Sequence, residues 1–117
     1  MASLSASLWE KTIRDGKVAV VISPGYGAGW STLSSGDLEY HKFFIFGTSD
    51  FIKMIESGAD ESVLTSYVNS HISKTVYLGG IDTLIIEWVP IGTKFRVVEY
   101  DGAESVELYD ETEWEIA

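Results

Sequence analysis

Cysteine is absent from this 117-residue chain, so neither a disulfide framework nor a thiolate metal site is available to it. Histidine is scarce, with only His41 and His71 present, which leaves few candidates for a general base near neutral pH. Basic residues are outnumbered, eight against eighteen acids, giving a net charge of −10. A field of that sign opposes duplex nucleic acid and anionic membrane surfaces and favours basic partners. No apolar run approaches the roughly 18 residues of a membrane-spanning helix, so no membrane segment is expected. The opening residues Met1 to Leu8 lack both a basic region and a sustained apolar stretch, so a secretory signal is not expected and a cytoplasmic setting is.

What is present is enough for a core. Hydrophobic residues make up 45% of the chain and aromatics 13%, which excludes intrinsic disorder and fits one domain over 1–117. Residues 1–10 read as a loosely held arm. Lys17 to Ser23 is continuous, β-branched and bounded by Gly16 and Pro24, the pattern of a central strand buried on both faces. Residues 38–46, dense in aromatics, lean to extended structure. Two short helices follow, about 49–57 and 61–73. Thr48 or Ser49 caps the first and Gly58 stops it; Asp60 caps the second. In the second, Leu64, Tyr67, Val68, His71 and Ile72 form one apolar stripe. Strands are expected at Val76 to Leu78, Thr83 to Val89, Lys94 to Tyr100 and Glu104 to Leu108, the last three as a meander turning at Pro90-Ile91-Gly92 and Asp101-Gly102. Glu111 to Ile116 alternates acid with apolar or β-branched residues and reads as a protected terminal edge. The class is α+β, a mostly antiparallel twisted sheet with a helical hairpin on one face.

The chemistry concentrates in Ser23-Pro24-Gly25-Tyr26-Gly27-Ala28-Gly29-Trp30-Ser31-Thr32. Alternate glycines permit positive φ and present backbone N–H groups, a generic anion nest, with Tyr26 and Trp30 as stacking faces and Ser31 and Thr32 as hydroxyl donors. His41 and Lys42 are the further candidate ligand contacts. The alternative is structural: the glycines allow a close chain crossing and Trp30 folds back as a core plug. Both named phosphate motifs fail, because no lysine follows the loop and no helix opens from it. Ser31 with His41 or Glu87 is a distant route to a small hydrolase, since the second glycine of a nucleophile elbow is missing. Glu87 reads better as a cross-strand partner of Arg96 than as half of a catalytic acid pair with Glu99. The acids match no metal-ligand spacing, so no catalytic residues, metal or cofactor are assigned.

Residues 84–117 carry nine of the acids against Lys94 and Arg96, and so −7 of the net charge. This is either a solvated edge or a partner surface, with Glu107, Asp110, Glu111, Glu113 and Glu115 as the candidate contacts.

Three segments, KVAVVISPGYGAGWST (17–32), Gly79-Gly80-x-Asp82, and IEWVPIGTKFRVVEYDGAES (86–105), together resemble a group of small, uncharacterised acidic proteins of tailed bacteriophages and prophages. The likeness spans roughly residues 11–33 and 76–106, and the chain departs from it at Leu33 to Phe46 and in the arm. It implies a phage setting in a bacterial cytoplasm and no particular activity. In that setting the expectation is a non-enzymatic, homo-oligomeric binding protein that captures a nucleotide-like molecule through the glycine-rich loop. The alternative is an acidic inhibitor of a basic host protein. The oligomer is expected from the apolar excess for this size, with four tryptophans and the clustered Phe43, Phe44 and Phe46 leaving a patch to bury against another subunit.

Overall fold

The computed structural model describes residues 11–32, 38–71 and 78–108. Its centre is β2 (Lys17–Ile22), flanked in one antiparallel sheet by β1 (Ile13–Arg14) and β3 (Ile85–Pro90). Five successive β2 residues are buried because both faces of the strand are covered. Ala19 and Val21 point to a helical layer with Trp30, Phe43, Phe44, Phe51 and Ile52. Val20 and Ile22 point the other way, with Val89 and, at the margin, Phe95, Val97 and Val106. Those last three belong to a separate antiparallel hairpin, β4 (Phe95–Tyr100) and β5 (Ala103–Leu108). The molecule is therefore α+β in three layers: helices, a three-stranded sheet, and a two-stranded hairpin.

This corrects the expected meander. β3 pairs with β2 rather than β4, and the turn at Pro90 to Thr93 carries the chain from one sheet to the other. Consequently Glu87 faces Val20 across the ladder, and Arg96 pairs with Glu107 of β5 through its Nε at 2.9 Å and Nη2 at 2.5 Å. Two-residue Asp-Gly turns close both hairpins. Asp15-Gly16 joins β1 to β2 and Asp101-Gly102 joins β4 to β5, all four residues at positive φ as such turns require.

The second correction is α1 (Leu38–Phe46), a helix where extended structure was the expectation. Phe43 and Phe44 enter the helical core while Ile45 packs with the opposite cluster and Phe46 meets Phe95 edge-on at 6.1 Å. A helix with apolar contacts on several sides loses the periodic stripe that identifies one in sequence. It ends at Gly47, whose φ of 63° reverses the chain and whose N–H still donates to the Phe43 carbonyl.

α2 (Ser49–Glu56) and α3 (Glu61–His71) form the expected helical pair. Thr48 caps α2 by accepting from the Phe51 N–H, and its Oγ1 lies 2.6 Å from the Tyr67 hydroxyl of α3. Asp60 caps α3 by accepting from the Val63 N–H at 3.1 Å. The expected extension of the second helix to 73, the strand at Val76 and the edge from Glu111 fall wholly or largely outside the described residues; Leu78 is not in a strand. Phe43 and Phe44, which would make the apolar patch of an oligomer, are buried within the subunit.

Candidate functional site

β2 delivers the chain into the glycine-rich loop with Ser23 fully buried at its start. Ser23 Oγ accepts from the Gly25 N–H, and the Gly25 carbonyl accepts from Ala28, closing a tight turn. The loop then meets the Asp101-Gly102 turn of the hairpin. Gly27 N–H donates to the Asp101 carbonyl and Gly29 N–H to the Gly102 carbonyl, the latter at 2.7 Å. The approach is so close that a Cβ on Gly102 would stand 2.6 Å from the Gly27 carbonyl carbon.

Glu104, next along β5, completes the arrangement. It is 3% exposed. Its Oε1 accepts from Ser23 N–H at 3.1 Å. Its Oε2 accepts from Ser31 N–H at 2.8 Å, Ser31 Oγ at 3.0 Å and Thr32 N–H at 2.7 Å. Its own N–H returns to the Ser23 carbonyl at 2.8 Å. The backbone donors of Ser23, Gly25, Gly27, Ala28, Gly29, Ser31 and Thr32 thus all have acceptors inside the protein. The two ends of the loop, at Ser23 and at Ser31-Thr32, close on the side chain of Glu104, and the glycine N–H groups between them are taken by the protein's own oxygens.

The Gly-Gly element joins from the third side. A Cβ on Gly80 would lie 2.5 Å from Ser23 Oγ and 2.6 Å from Ala28 Cβ, and Thr83 Oγ1 is 2.6 Å from Ser23 Oγ. All three sequence elements therefore meet, but around Ser23 and Glu104. Trp30 leaves the loop for the core. It is fully buried, stacked with Phe51, edge-on to Phe44 at 4.6 Å, and its Nε1 donates to the Phe44 carbonyl at 3.2 Å. As placed, it offers no face to a bound ring.

The remaining candidates divide. Ser31 is fully buried on Glu104. His41 is brought to it, but Nδ1 lies 3.0 Å from the Ser31 carbonyl rather than its hydroxyl. Lys42, next on α1, is exposed. Glu87 is exposed on β3, away from the Ser31–Glu104 contact. His71 stacks on Tyr67 at 4.1 Å within its own helix. Glu107 is held by Arg96, while Asp110, Glu111, Glu113 and Glu115 lie outside the described residues. Among the described residues no group of three or more acids or histidines forms a metal site, and no helix is long and apolar enough to cross a membrane.

The loop does retain one outward feature. Tyr26 is 79% exposed, and Tyr100 is 75% exposed on the adjoining hairpin turn. Each is next in sequence to a residue of the Gly27–Asp101 hydrogen bond. Asp101 and Glu99, also exposed, add carboxylates to this end, and Glu99 braces the turn by accepting from the Gly102 N–H at 2.8 Å. Sequence reasoning missed Tyr100 and Glu104. For Glu104 a signal existed: it shares a strand face with Val106, and that face turns inward. Searches of protein-family models, curated proteins and solved structures each return no match to this chain.

Proposed function

We propose that the protein is a non-enzymatic binding protein of phage type that engages a basic host protein through the end bearing Tyr26 and Tyr100. The observation carrying this reading is the contrast at that end. The loop's backbone donors are spent within the protein, on Glu104 and on the carbonyls of the Asp101-Gly102 turn, while two tyrosines stand exposed beside Asp101 and Glu99. Exposed tyrosine is a strong interface anchor, because it contributes a large rigid face at small entropic cost. An arginine or lysine from the partner gains both the ring face and the carboxylates, whereas a phosphate is repelled by them. Capture of a nucleotide in the loop would first have to displace Glu104.

The test is affinity capture from bacterial lysate with the wild type and a Tyr26→Ala/Tyr100→Ala variant. Basic proteins retained by the wild type should be lost with the variant and released by salt, since screening shortens to about 3 Å at 1 M. A rise in melting temperature with millimolar nucleotides, absent any tyrosine-dependent capture, would favour the nucleotide reading instead.

A further inference from the structure

A cleft of about 280 Å³ opens between the α2–α3 turn and the turn that follows Gly79-Gly80. Its floor is apolar, from Ile55, Leu64, Ile81 and Leu84. Its rim is acidic, from Asp60, Glu61 and Asp82, all exposed, and none of its lining residues is basic. A long side chain fits within a cleft of this size, and the acidic rim disfavours an anionic ligand such as a nucleotide.

The rim carboxylates are not equivalent. Asp60 Oδ1 is engaged by Ser62 Oγ at 2.7 Å and by the Val63 N–H. Those bonds, the Ser62 hydroxyl first, hold its carboxyl below the ordinary range, so it remains charged. Among the described residues, no side chain donates to Glu61 or Asp82. Three negative groups on two chain segments around an apolar floor complement a guanidinium on a methylene stem. The stem covers the floor, and the five N–H donors spread over separated carboxylates in a way a lysine ammonium does not.

The cleft is also tied to the tyrosine-bearing end. Asp82 precedes Thr83, which is bonded to Ser23 and would lie 3.1 Å from a Cβ on Gly25, the neighbour of Tyr26.

We propose that this cleft receives an arginine side chain of the basic partner protein. The inference rests on the binding function proposed above and adds a second anchoring point to it. The probe is Nα-acetyl-arginine amide titrated into isotope-labelled protein, with the neutral isostere Nα-acetyl-citrulline amide as control. The arginine probe should shift the amides of Gly58, Ala59, Glu61 and Asp82 saturably, and the citrulline probe should not. A Glu61→Gln/Asp82→Asn variant with an unchanged dispersed spectrum should lose about tenfold in affinity, the scale of one charge-assisted hydrogen bond. No localised shift, an equal response to citrulline, or full affinity in that variant would overturn the proposal. Tyrosine-dependent capture of a basic protein with no arginine response here would overturn the cleft alone. A cleft response with no basic protein captured would support the arginine site and overturn the partner reading.

Discussion

Four donors converge on the Glu104 side chain, three of them backbone N–H groups, of which those of Ser23 and Ser31 belong to fully buried residues. A buried donor left unsatisfied costs about 1–3 kcal/mol, so the penalty for truncation accumulates over the set. Glu104→Ala should destabilise the protein by roughly 3–5 kcal/mol in urea denaturation. Glu104→Gln should cost less, because one oxygen is retained, yet its amide NH2 must then meet a donor. A ligand-binding loop merely decorated by Glu104 would tolerate both changes. The glycines make a second residue-scale case. Gly102 and Gly92 have nearly the same φ, 82° and 84°, but a Cβ meets backbone at Gly102 and nothing within 4 Å at Gly92. Gly92→Ala should cost about 1–2 kcal/mol, the left-handed strain alone. Gly102→Ala should cost distinctly more, and equal effects in thermal denaturation would contradict the close crossing.

At the scale of elements, β1 is attached to the helical layer by an exposed pair. Arg14 reaches Glu56 at the end of α2 with both terminal guanidinium nitrogens, at 2.7 and 3.0 Å, while stacking over Trp88 at 4.9 Å. The hydrogen bond from Arg14 holds the Glu56 carboxyl below its ordinary range, as Ser62 does for Asp60. A carboxyl lowered on folding contributes stability above its unfolded value and loses it as pH falls through the folded one. The melting temperature should therefore hold from neutrality down to about pH 4.5 and decline below it, more shallowly in Glu56→Gln. The effect is small because both partners are solvated. Several elements were legible from local chemistry: the buried central strand from its unbroken β-branched run, α2 and α3 from their caps, the β4–β5 turn from Asp-Gly. The same Asp-Gly signal at 15–16 marks the β1–β2 hairpin, although β1 is too short for a strand pattern to register. Helix α1 was not legible, because Phe43 and Phe44 serve one cluster, Ile45 the other and Phe46 packs on Phe95, so its apolar residues form no single stripe.

For the whole molecule, β2 is the plane that separates a helical core from a hairpin, and the glycine-rich loop is where the strand's end is joined to that hairpin. The local sequence of the loop carries the properties of a phosphate cradle; its occupant comes from 73 residues further along the chain. No local reading can reveal a partner at that separation, which is why the nest was visible in the sequence and its filling was not. The candidate binding surface shifts accordingly, from the loop's interior to the tyrosines on its outer side and the acidic cleft beside the helical pair.

Amide hydrogen exchange of Gly27, Gly29, Ser31 and Thr32 tests this most directly, because these donors are either held within the protein or waiting for a ligand. The internal network predicts slow exchange in the free protein, near the free energy of global unfolding, and no change on adding millimolar nucleotide. Fast exchange in the free protein that slows when a nucleotide is added would contradict it.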